Sequence, residues 1–176
     1  MSPRPSLDSH QLHGALLHAL GDAVLWHSEN DKKPLEVDLA APLPSRVRIY
    51  MYTLTDPPGG RPVGEFKIQL IAPGQKKGNA ASFDTSDGRI VLLIGYHPDT
   101  NVFVLWDAML YPQFPHSRNV QVTGETVYGA LGGGVAFQER KLRTGIERVL
   151  AARGQKVAAA VRERFMLTVE RDISEK

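Results

Sequence analysis

Leu12, Leu16, Leu20 and Val24 recur every fourth position between Asp8 and His27, the spacing of one helix face. A helix over residues 8–27 is therefore predicted, with Asp8 or Ser9 able to accept from its first backbone N–H groups. The stretch SENDKKPLEVDLAAPLP, residues 28–44, is polar and punctuated by proline and reads as a connecting segment. From Arg46 the period shortens to two. Val47, Ile49, Met51 and Thr53 alternate with Arg48, Tyr50 and Tyr52, which predicts a strand with one apolar face and one face of Arg and aromatic side chains. DPPGG, residues 56–60, predicts a turn, and EFKIQLI, residues 65–71, a second strand. RIVLLIGY (89–96) and VFVLW (102–106) are continuous apolar runs joined by HPDTN, so they read as a hairpin buried on both faces.

Two long segments interrupt these strands, APGQKKGNAASFDTSDG (72–88) and DAMLYPQFPHSR (107–118). Loops of that length in a compact domain are commonly functional. NVQV then reads as a short strand, GETVYGALG as a short helix, and VAFQER as another strand. Val157, Val161 and Phe165 mark an amphipathic helix over 155–166. The expected fold class is α+β: a mixed, mainly antiparallel sheet, open or closing toward a barrel, flanked by N-terminal and C-terminal helices. A length of 176 residues suits a single domain, since one core commonly serves about 100–200 residues.

Composition changes this picture little. Hydrophobic residues at 42% leave enough material for a core. The absence of cysteine excludes a disulfide framework and points to a reducing, cytoplasmic compartment. No run approaches the length of a membrane span, and no membrane partner is expected. Charge is more informative: residues 1–44 carry 3 Lys/Arg against 6 Asp/Glu, whereas residues 45–176 carry 18 against 13. The positive excess in the main body suits a polyanionic partner.

Two loops carry the candidate binding chemistry. Tyr111-Pro-Gln-Phe-Pro-His-Ser-Arg-Asn119 combines aromatics, prolines, a histidine and an arginine, so that rings are presented on a stiffened chain. Arg118 offers a planar fork for phosphate or guanine, and Asn119 and Gln121 offer the donor and acceptor pairs that suit adenine. Gly74-Gln75-Lys76-Lys77-Gly78-Asn79 is a glycine-flanked basic tip whose lysines would neutralise phosphates. It lacks the Gly-Lys-Ser/Thr ending of a nucleotide-binding loop. Asp56 followed by Glu65-Phe-Lys67 is an alternative arrangement, one that could hold Mg²⁺ and activate water in a nuclease. His10, His13 and His18 fall on the polar side of the first helix, without the carboxylate neighbours a zinc site needs.

Taken together, RVRIYMYTLTDPPGGRPVGEFKIQL, GRIVLLIGY, VFVLWDA and YPQFPHSRNVQV resemble the sulfur-binding domains of McrA-like, modification-dependent (type IV) restriction endonucleases, over roughly residues 46–141. The resemblance implies recognition of phosphorothioated double-stranded DNA. It implies a sulfur cavity at Phe114, Pro115, His116 and Ser117, with Tyr111 alongside and Phe where the family has Tyr. It places Arg140 and the loop with Lys76 and Lys77 against the DNA backbone, and Gln75, Arg118, Asn119 and Gln121 are expected to join them in contacting DNA. In that family cutting belongs to a separate metal-dependent nuclease domain, so this chain is expected to bind without catalysis, cofactor or metal, either as an isolated recognition domain or as part of a longer polypeptide that carries a nuclease. A reader of unmodified or methylated DNA and a protein-interaction domain remain alternatives.

Overall fold

The computed structural model describes residues 6–56 and 64–174; most of the DPPGG turn lies outside them. Helix α1 spans Ser9–Leu20. Asp8 starts it with a reciprocal pair of bonds: its carboxylate accepts from Gln11 N at 2.8 Å, and Gln11 Oε1 accepts from Asp8 N at 3.0 Å. Leu12, Leu16 and Leu20 are buried as their spacing predicts. The helix stops short of the predicted end because Gly21 adopts φ 55°, a left-handed geometry open to glycine. Val24–His27 form strand β1 rather than a last helical turn.

The supposed connecting segment contains another strand, β2 (Leu35–Leu39), whose alternation buries Leu35, Val37 and Leu39. Strands β3 (Arg46–Thr53), β4 (Glu65–Leu70), β5 (Ala80–Ala81), β6 (Ile90–His97) and β7 (Val102–Trp106) follow. After them come β8 (Phe114–Pro115), β9 (Arg118–Thr123), α2 (Gly124–Gly129), β10 (Ala136–Leu142), β11 (Gly145–Arg153) and α3 (Val157–Ser174). Seven strands form one open sheet in the order β1-β2-β3-β6-β7-β11-β10. Its pairs are antiparallel except β3 with β6, and it does not close into a barrel. The β6–β7 hairpin is as predicted, and every residue of β7 is buried.

Both faces of this sheet are covered. On one, Val47, Ile49 and Met51 of β3 join Leu12, Leu16, Val157 and Val161 of α1 and α3. On the other, Tyr50, Tyr52, Leu93 and Trp106 pack against Phe66, Ile68, Val120 and Val122 of a separate two-stranded ribbon, β4 with β9. The predicted polar face of β3 is thus interior. Arg48 survives there because it donates to Asp84 O at 2.8 Å, to Ser86 O at 2.9 Å and to Glu36 Oε2 at 3.0 Å, which repays its desolvation. His13, expected on the solvated side of α1, is buried with Nδ1 2.8 Å from Asn30 O. None of the described helices is long and apolar enough to cross a membrane.

Gly95 of β6 sets how closely the ribbon approaches. A Cβ there would lie 2.9 Å from both Ile68 Cγ2 and a ring carbon of Trp106, inside van der Waals contact. Only a bare backbone lets the ribbon's Ile68 seat on the sheet.

Candidate nucleic-acid interface

The ribbon alternates strictly. Phe66, Ile68 and Leu70 of β4 and Val120 and Val122 of β9 point into the core. The other face presents three cross-strand pairs in register: Glu65 with Thr123, Lys67 with Gln121, and Gln69 with Asn119. Among the described residues the side chains of Lys67, Gln69 and Asn119 have no hydrogen-bond or ion-pair partner. Gln121 is tethered instead. Arg140 of β10 donates to its backbone carbonyl and approaches its side-chain oxygen at 3.5 Å, and Trp106 Nε1 donates to the same carbonyl at 3.0 Å. Thr123 is also engaged, capping α2 and donating to Gln138 Oε1 at 3.0 Å.

The basic loop stands at the Leu70–Arg118 end of this ribbon. Gly74 and Gly78 take φ of 77° and 86°, so the tip turns sharply and carries Lys76 and Lys77 outward, both exposed and unpaired among the described residues. Gln75 braces the loop from inside. Its Oε1 accepts from Ala72 N at 2.9 Å, and its Nε2 donates to Asn79 O at 2.8 Å and Phe114 O at 3.2 Å. Pairing of β5 with β8 sets Ala80 against Pro115, and Ser117 N donates to Leu70 O at 2.9 Å. The lysine tip, the Pro115–Ser117 turn and the Gln69–Asn119 pair therefore converge at one end of the ribbon.

The residues implied for a sulfur cavity divide between surface and interior. Pro115 is exposed, and His116 and Ser117 are half-buried, joined by an Nδ1–Oγ contact of 2.8 Å. Phe114 has 0% exposure and its ring stacks at 4.9 Å on Phe83, which in turn packs at 4.7 Å on Tyr50. It is a core residue and cannot wall an open cavity. Tyr111 is likewise interior. Its hydroxyl donates to Glu147 Oε1 at 2.7 Å, and burial, followed by the neighbouring carboxylate, raises its pKa. Two of the implied DNA contacts are spent internally, Gln75 on its loop and Arg140 on Gln121. Arg118 is half-buried over the Tyr111 ring, 4.8 Å from its centroid. Its cation is thereby held at the end of β9.

Thr55 pairs with Lys67, but among the described residues no ion pair links Lys67 to Asp56 or Glu65. Asp56 Oδ1 lies 2.7 Å from His97 Nε2, and among the described residues Asp56, His97 and Asp99 form a cluster of potential metal ligands that does not include Glu65. His97 Nδ1 is at 2.8 Å from Thr100 Oγ1, so both ring nitrogens are already hydrogen-bonded. Sequence reasoning missed Gln69 and gave Lys67 only a catalytic role. The alternation of EFKIQL carried the signal, but its outward face has meaning only once β4 is paired with β9.

No curated protein and no solved structure matches the chain. A family model described as methylase-associated X1 matches residues 45–167. That stretch runs from just before β3 into α3 and holds the whole ribbon with both of its loops. It covers more than half of the sequence, and the chain belongs to the methylase-associated X1 family, in the setting of DNA modification.

Proposed function

We propose that this domain binds duplex DNA by laying the β4–β9 ribbon in the major groove, and that it reads modified DNA. A two-stranded ribbon is one of the few elements the groove admits, and Asn and Gln amides match the paired donor and acceptor of adenine. The observation that carries the reading is the Gln69–Asn119 pair, unpartnered on an exposed face beside the unpartnered Lys76 and Lys77. In this arrangement Lys76, Lys77 and Arg118 hold phosphates and fix the register, while Gln69, Asn119 and Gln121 face base edges. The domain is read as binding without cleavage, with any cutting left to a separate domain.

The phosphorothioate version rests on the resemblance of the YPQFPHSRNVQV stretch to sulfur-binding domains and, in this fold, on Pro115 and Ser117 alone. A sulfur atom sheds water more readily than a phosphate oxygen, so an exposed proline face beside lysines favours it. One duplex decides both levels when titrated unmodified, base-methylated and carrying a single phosphorothioate, each at several salt concentrations and with Mg²⁺. Salt-dependent binding of an intact duplex is expected, tighter for one modified form. No binding to any form sinks the DNA reading; equal affinity for the sulfur and oxygen forms removes the sulfur version alone.

A further inference from the structure

Beside the ribbon, a depression of about 580 Å³ opens between the β1–β2 loop and the base of the lysine loop, lined by Lys32, Lys33, Tyr52, Gln69, Ile71 and Pro73. We infer that this depression is a phosphate subsite in which Lys33 holds a phosphodiester of the same DNA that the ribbon reads; the inference rests on the DNA-binding reading above.

Lys33 is not an ordinary surface lysine. It is half-buried, and its ammonium sits 3.6 Å from the centroid of the Tyr52 ring. That ring is itself fixed, because Tyr52 Oη donates to Ile71 O at 3.0 Å. The cation is held over a rigid aromatic face rather than swinging in solvent. No carboxylate compensates it: the described residues give Lys33 no ion pair, while exposed Lys32 pairs with Glu29 at 3.4 Å. Burial lowers the Lys33 pKa to about 8, as expected where a charge is desolvated without an opposite one. His13 of α1 feels the Lys33 charge, Lys32 lines the same depression and Tyr52 lies beneath the ammonium, none of them an anion at neutral pH. Among the described residues no carboxylate lines the depression, so an anionic ligand entering it would meet Lys33 without competition.

Phosphate is the anion favoured by position. Gln69 lines the depression and also stands on the ribbon's outer face, and Gly74, at the base of the Lys76–Lys77 tip, lines the same wall. A backbone passing the tip would run across Lys33 next. The N-terminal unit thereby extends the footprint beyond the ribbon.

The test titrates a duplex bound by the wild-type domain across several salt concentrations, using Lys33→Met, Lys33→Gln and Lys33→Arg, with Lys76→Ala/Lys77→Ala for comparison. Both neutral variants should bind about tenfold more weakly, with a salt slope smaller by about one, and Lys33→Arg should restore both. Methionine keeps the aliphatic packing over Tyr52, and an unchanged urea midpoint separates lost binding from lost folding. If the neutral variants match wild type while the Lys76/Lys77 variant weakens, the subsite is wrong and the groove reading stands. If wild type binds no duplex, the groove reading falls. A Lys33 Nζ resonance that then responds to inorganic phosphate would overturn the DNA assignment in favour of a small phosphate ester.

Discussion

Gln69 of β4 and Asn119 of β9 stand directly opposite each other on the outward face of a two-stranded ribbon whose inward face buries Phe66, Ile68, Leu70, Val120 and Val122. Because neither amide has an internal partner, either can be removed with little cost to folding. Asn119→Ala should therefore leave the urea midpoint unchanged and lose about 1–3 kcal/mol of discrimination at one base position. Competition against a panel of single-base variants measures this. Equal losses on every sequence would show that Asn119 does not face a base.

The lysine tip should behave in the opposite way. Lys76→Ala/Lys77→Ala is expected to weaken binding to all duplexes alike and to lower the salt slope by about two, the signature of lost phosphate contacts. Unchanged slopes would place the tip away from the backbone.

Tyr111 and Phe114 were implied as walls of a sulfur site, and their burial predicts stability effects instead. Phe114→Ala should cost about 3–5 kcal/mol, as loss of a buried ring does. Tyr111→Phe removes the hydroxyl that donates to Glu147 and should cost about 1–3 kcal/mol. Burial already raises the Glu147 pKa above its ordinary value of 4.5, and the Tyr111 hydroxyl is the leading influence opposing the rise. With native proton affinity above the unfolded one, this group supports the fold fully below that ordinary value and loses its support as pH rises through the raised one. Tyr111→Phe should widen that window upward. Chemical denaturation from acid to neutral pH reads it, and an unshifted profile would break the assignment.

Lys33 titrates with the other sign. Its native pKa is about 8 against an ordinary 10.5, so the unfolded chain binds more protons between these values and stability rises with pH there. The full cost of the buried charge is carried below about 8. His13 and Lys32 lie close by and add no negative charge. An anion in the depression should restore the proton, so DNA binding near pH 8.5 is expected to take up as much as about three quarters of a proton. Calorimetry in two buffers of different ionisation heat measures this. Lys33→Arg should show no uptake, and equal uptake by both proteins would sever Lys33 from the ligand.

Gly95→Ala should be costly for a different reason. The added Cβ meets Ile68 and Trp106 at 2.9 Å, and overpacking of this kind costs about 1–3 kcal/mol. The ribbon must shift to relieve it, so DNA affinity should fall along with the urea midpoint. A tight, stable variant would show that ribbon placement is not set here.

Local chemistry was enough to reveal several parts of this protein. The four-residue spacing of α1, the alternation of β3, the β6–β7 hairpin and the glycine-flanked lysine tip depend on period and backbone freedom, which any short window displays. The α+β class followed from them. Other features had no local signal. Leu35–Leu39 looked like a linker because its charged positions, Glu36 and Asp38, acquire partners only when Arg48 arrives from β3 and Arg89 from the residue just before β6. Likewise, β11 was hidden in a stretch whose Glu147 is tolerable inside only beside Tyr111 and Asp107.

Residues and periodicities alone determined which strands and helices could form and which side chains could meet a polyanion. Only the tertiary structure decided which of those side chains remain available. Phe114 and Tyr111 went to the core because the ribbon closes over them, and Arg140 and Gln75 were spent on backbone carbonyls. Among the described residues, Gln69 and Asn119 were left facing outward without hydrogen-bond partners, and Lys33 was left over the Tyr52 ring without an ion pair. Burial and pairing are properties of the whole packed chain, and no short stretch of it carries them.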